Sequence, residues 1–104
     1  MVHKVDTLAE LKDKIKNHNG LVVIDFFAEW CGPCKRIAPK IEEWSKKYPT
    51  VLFLKVDVDV NDEAASEYAV EAMPTFVFVK NGSKIETVVG ANETALVNLI
   101  EKNK

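Results

Sequence analysis

The stretch LVVIDFF, Leu21–Phe27, places apolar side chains at consecutive positions, and so on both faces of an extended strand. A strand that is apolar on both sides needs cover on both sides, so the chain must build layers above and below a sheet. Asp25 is the one charged interruption in that run. The chain has 104 residues, the size of a single domain (1–104) with one buried core.

The punctuation around this strand is regular. Residues 2–5 read as a short strand, and Asp6 or Thr7 can cap a helix carrying Leu8, Leu11 and Ile15 at helical spacing up to Asn19-Gly20. Residues 31–47 carry Cys34, Ile37, Ile41 and Trp44 on one stripe, which predicts a long helix with Trp44 in the core. Pro39 removes one backbone donor there and should bend the helix rather than end it. A strand is expected over 51–58 and a short helix over 61–70. Strands over 74–79 and 84–89 flank Lys80-Asn81-Gly82-Ser83, a hairpin signal, and Asn92 can cap a last helix through Leu96, Leu99 and Ile100. The order is β-α-β-α-β-α-β-β-α. Early alternation requires parallel neighbours joined by right-handed crossovers, and the terminal hairpin adds antiparallel strands. The expected fold class is therefore α/β, a mixed five-stranded sheet flanked by four helices.

Composition narrows the function. Lys and Arg number 14 against 16 Asp and Glu, a net charge of −2, which offers no field for nucleic acid or an anionic membrane. Arg36 is the only arginine, which weakens any phosphate-reading role further. No apolar run approaches membrane-spanning length, and MVHKVDTLAEL lacks the basic and apolar regions of a secretory signal. The expected compartment is the cytosol, where thiols are kept reduced, so a cysteine pair there reads as catalytic or metal-binding before it reads as a staple.

Both cysteines lie in EWCGPCK, after the double-faced strand and at the first turn of the long helix. Residues three apart on a helix share a face, with Cα atoms about 5–6 Å apart, within disulfide range. Pro33 is tolerated because first-turn amides lack helical acceptors. A structural bridge across so short a loop would stabilise by only about 2 kcal/mol, against nearly 5 for a long loop. Zinc would need two more ligands, and His3 and His18 lie upstream without paired spacing. A dithiol redox pair suits the strand-to-helix setting best. Cys31 sits at the positive end of the helix dipole, which favours its thiolate, while Cys34 lies one turn deeper. The expectation is one sulfur open to solvent and acidic, and the other shielded. Gly32-Pro33 places no charge between the cysteines, which favours the disulfide and makes the dithiol a good reductant.

Trp30-Cys31-Gly32-Pro33-Cys34-Lys35, preceded by Asp25-Phe26-Phe27-Ala28-Glu29, resembles the active site of the thioredoxin family. Met73-Pro74-Thr75-Phe76 is similar to that family's cis-proline loop, and Lys80-Asn81-Gly82 and Val89-Gly90-Ala91-Asn92 to its later turns. The resemblance covers essentially the whole chain and is strongest to the short eukaryotic cytosolic type. It implies the thioredoxin fold and a protein-disulfide reductase in which Cys31 attacks and Cys34 resolves. It also implies a monomer without a bound cofactor or metal, re-reduced by thioredoxin reductase with electrons from NADPH. Ribonucleotide reductase, peroxiredoxin and methionine sulfoxide reductase are the substrates it suggests.

The resemblance makes Asp25 the buried carboxylate that helps deprotonate Cys34; the plain alternative is an Asp at a strand end facing water. Lys55 could be its partner, although Phe53, Lys55, Asp57 and Asp59 alternate and could equally face solvent. Pro74 could be an ordinary strand-start proline or, by resemblance, a cis residue beside the sulfurs, with Met73 presenting its backbone to an extended substrate. Trp30, Gly32, Pro33, Met73, Pro74, Gly90 and Ala91 would form the substrate-binding rim. Two positions depart from relatives: Phe27 stands where bacterial members often carry Trp, and Ala72 where many animal members carry Cys. A redox-independent binding module using the same rim, or a disulfide isomerase or oxidase, are the competing functions.

Overall fold

β2 (Leu21–Phe27) occupies the centre of the sheet, as its double apolar face requires. The computed structural model describes all 104 residues. Around β2 the chain lays down β1 (His3–Lys4), α1 (Leu8–Lys16), α2 (Gly32–Lys47), β3 (Leu52–Asp57), α3 (Asp62–Glu67), β4 (Thr75–Lys80), β5 (Ser83–Val89) and α4 (Glu93–Asn103). The strands form one five-stranded sheet in the order β1-β3-β2-β4-β5. β1, β3 and β2 run parallel, while β4 and β5 are antiparallel additions. The expected order and class are both present, with strand ends moved by no more than one residue.

Each face of the sheet has its own core. Val22, Ile24 and Phe26 of β2, with Leu54, Val56, Val77 and Val79, pack on Leu11 and Ile15 of α1 and Ala64 and Ala65 of α3. Leu21 and Val23, with Phe53, Phe76 and Phe78, pack on Ile37, Ile41 and Trp44 of α2 and Leu96 and Ile100 of α4. The alternation of β2 thus assigns Asp25 to the α2 side, beneath the start of that helix.

Helix starts follow side-chain capping. Thr7, rather than Asp6, caps α1, accepting from the Glu10 amide, while the Asp6 amide donates to the Glu10 carboxylate. Asn61 and Asn92 cap α3 and α4 in the same way. α2 runs through Pro39 as one helix. Asn81 and Gly82 both take positive φ, 53° and 80°, as the two-residue turn between β4 and β5 requires.

α3 is shorter than the 61–70 expected from the sequence, because Asn61 is its cap and the chain leaves the helix after Glu67. Ala69 then adopts φ 53°, and the Val70 amide donates to the Ala65 carbonyl at 2.9 Å. This is the left-handed helix exit usually occupied by glycine. Ala69→Gly is therefore expected to stabilise the fold by about 0.5–1 kcal/mol, read from the urea midpoint. A loss of stability would show that the Ala69 methyl packs well enough to outweigh its backbone cost.

Candidate active site

The end of β2 and the start of α2 bring the two cysteines together. Cys31 is the N-cap of α2 in an extended conformation, and its Sγ accepts the Cys34 amide at 3.2 Å. Pro33 lies in the first turn, where its missing N–H leaves no acceptor unsatisfied. The sulfurs form a disulfide, with Cα atoms 5.3 Å apart. His3 and His18 do not join them in a cluster of metal-ligating side chains.

One expectation is corrected. Cys31 is not open to solvent in this disulfide form: it is 5% exposed and Cys34 4%. Phe27, Val58 and Met73 pack around Ala28 and both cysteines, so the apolar shell shields the bridge as a whole. What separates the two cysteines is position. Cys31 holds the helix N-terminus, whereas Cys34 lines an open cleft of about 230 Å³ together with Asp25, Phe27, Ala38, Lys35 and Lys55.

Asp25 does not face water; it is 6% exposed, and its Oδ1 has no hydrogen-bond partner. Burial pushes its carboxyl up to about 7, with the nearby Lys55 ammonium pulling partly the other way. Lys55 is the direct cross-strand neighbour of Asp25 on β3. It shares a sheet face with Phe53 and Asp57, both buried, and is itself partly buried; of that run only Asp59 is exposed. Lys4 of β1 pairs with Lys55 and also lines the cleft.

Met73 packs its side chain against the bridge. The Met73–Pro74 peptide bond is cis, and the Pro74 carbonyl accepts the Gly90 amide at 2.8 Å, which brings Gly90 beside Pro74. A methyl on Gly32 would meet only the Arg36 guanidinium, at 3.5 Å, so no clash requires glycine there. Trp30 is 68% exposed, and its indole Nε1–H donates to Asp59 Oδ2 at 3.0 Å. The Asp59 amide in turn donates to the buried Asp57 Oδ1 at 2.9 Å. The sequence reading does not single out Asp59 or the exposed Val60. The available signal was DVDVND directly after a parallel strand, since the carboxyl ends of such strands are where α/β sheets gather their sites.

Comparison with known proteins agrees with this geometry. The family described as Thioredoxin matches residues 2–102. Thioredoxin 1 of Plasmodium falciparum is 54% identical over 102 residues, covering 98% of this chain and 97% of that protein. Thioredoxin-2 of Pyricularia oryzae is 50% identical over 102 residues, 98% of this chain but 59% of the relative's length. The X-ray structure of Fasciola hepatica thioredoxin matches with a TM-score of 0.95 at 51% identity, covering 98% of this chain and 99% of that one. With its Cys31–Cys34 bridge at the start of α2, the chain belongs to the thioredoxin family and is a dithiol–disulfide oxidoreductase.

Proposed function

We propose that this single-domain chain reduces disulfides in other proteins, with Cys31 as the attacking sulfur and Cys34 as the resolving one. The observation that carries the assignment is the placement of Cys31 Sγ at the N-terminus of α2, accepting the Cys34 amide, while Cys34 lines the cleft that holds Asp25. Negative charge on Cys31 is favoured by that amide and by the helix dipole. Its thiolate adds to one substrate sulfur and expels the other as a thiolate. Asp25, titrating near neutrality, accepts the Cys34 proton. The Cys34 thiolate then attacks Cys31 Sγ, closes the bridge and releases the second substrate sulfur. Two electrons have passed to the substrate, and the chain is left as the disulfide. Lys55 acts through Asp25, holding its carboxyl below the value that burial alone would set.

Trp30, Gly32, Pro33, Met73, Pro74, Gly90 and Ala91 form the docking rim in this reading. No backbone hydrogen bond within the chain uses the amide or carbonyl of Met73, which leaves both for an extended substrate segment. The chain works as a cytoplasmic monomer and uses no cofactor of its own. NADPH enters through thioredoxin reductase, and the substrates to test are ribonucleotide reductase, peroxiredoxin and methionine sulfoxide reductase.

The test is insulin reduction with thioredoxin reductase and NADPH, run beside a dithiothreitol-driven reaction. NADPH consumption that requires both the chain and insulin is the expected result. Activity with dithiothreitol alone would reject the reductase partnership and keep the chemistry. Inactivity in both reactions would reject the reading.

A further inference from the structure

The chain has two methionines, Met1 and Met73. Met1 is 73% exposed at the terminus, where its ammonium lies 3.9 Å from the Glu42 carboxylate. Met73 is half-buried, with part of its surface facing solvent and the rest packed on the cluster of Ala28, Cys31 and Cys34, beside Phe27 and Val58. When the bridge is closed no free cysteine remains. The Met73 thioether is then the one oxidisable sulfur left beside the reaction centre.

We propose that Met73 is an oxidation site, converted to the sulfoxide by a hydroperoxide when the Cys31–Cys34 bridge is closed, and that this modification weakens docking of protein substrates. The step balances: the Met73 sulfur lone pair attacks one peroxide oxygen, an S–O bond forms and the O–O bond breaks. The second oxygen leaves as water or an alcohol. Sulfur loses two electrons and the peroxide gains two.

The order of events follows from nucleophilicity. In the reduced chain the Cys31 thiolate outcompetes a thioether for peroxide, and its oxidation ends in the bridge. Met73 becomes the target only when the bridge stays closed, that is, when oxidant is present and re-reduction lags. Sulfoxidation replaces a flexible apolar side chain by a polar, chiral one in an apolar contact. The oxidised rim would then have to bury a sulfoxide oxygen against its partner, with no side-chain donor among Phe27, Ala28 and Val58 to receive it. The lesion is reversible by enzymes of the methionine sulfoxide reductase class. The inference rests on the docking-rim reading given above.

The experiment treats the disulfide form with hydrogen peroxide, which spares the exposed Trp30 indole, removes the oxidant, and restores the dithiol with dithiothreitol. Peptide mapping locates the added oxygen, and insulin reduction is compared with reduction of the small reagent 5,5′-dithiobis(2-nitrobenzoate). The expected result is oxygen on Met73, a rise of about tenfold in KM for insulin, the low end of the cost of leaving a buried polar group unpaired, and an unchanged rate with the small disulfide. Treatment with methionine sulfoxide reductase should reverse the change. Met73→Leu should show the same activity before and after peroxide, each sample measured against its own untreated control. Met73→Gln should behave untreated as the oxidised chain does. Stoichiometric Met73 sulfoxide with an unchanged KM would overturn the inference and leave the redox reading standing. Oxygen confined to Met1 would overturn it equally, whereas an inactive untreated chain would instead reject the proposed function.

Discussion

Asp25→Asn is expected to yield a protein that is more stable and slower at once. The native Asp25 carboxyl titrates near 7, against 3.8 for the ordinary group. Between those values the native state binds more protons than the unfolded state, so stability falls as pH rises from about 4 to about 7, and then levels off. The gap corresponds to about 4 kcal/mol at 1.36 kcal/mol per pH unit, and local relaxation around a buried charge makes about 2–4 kcal/mol the expected range. Asn removes that cost at pH 8 and should change little below pH 4, where the native Asp25 is already neutral. Urea unfolding of the disulfide form across this pH series reads the effect directly. A wild-type stability that is flat between pH 4 and 7 would show that the carboxyl is not buried as described. Turnover should fall by at least about tenfold near neutrality, because the Cys34 thiol loses its local proton acceptor. Asp25→Glu restores a carboxylate and should recover part of that rate.

The two cysteine variants should fail in different ways. Cys34→Ser leaves the attacking sulfur at the helix N-terminus but removes the group that closes the ring, so a mixed disulfide with substrate accumulates on Cys31. Cys31→Ser leaves only the sulfur that lies one turn deeper in α2 beside Asp25, and no substrate adduct should build up. Turnover falls by at least about a thousandfold in both, as expected when members of one catalytic unit are removed singly. Non-reducing gels after incubation with insulin separate the two outcomes. A substrate adduct on Cys31→Ser as abundant as that on Cys34→Ser would reverse the assigned roles.

Much of the fold can be read along the chain, because its signals are local. Leu21–Phe27 demands cover on two faces, Asn81-Gly82 demands a tight hairpin turn, and Asn92 sits directly before an apolar helical stripe. Trp44 at helical spacing reads as core and is buried. The end of α3 is not legible, because Ala69 takes a conformation that local preference assigns to glycine and tertiary packing imposes. The choice between water and interior for Asp25 and Lys55 is likewise tertiary: it depends on which helix covers each sheet face, and alternation along one strand does not say. Asp59 shows the same limit. Its contact with Trp30 spans 29 positions in sequence, and only the fold brings the two side chains together. Cys31 exposes a different gap. Helix position predicts which sulfur is favoured as an anion, but how far Val58 and Met73, both distant in sequence, close over it is set by the fold.

The most direct measurement of the central claim is alkylation of the fully reduced protein with iodoacetamide across a pH series, with the modified cysteine located by peptide mapping. Cys31 is predicted to react first, with an apparent pKa below the roughly 8.5 of an unperturbed thiol, while Cys34 stays protected in the native state. Cys34 reacting as fast as Cys31, or Cys31 titrating at or above that ordinary value, would contradict the account.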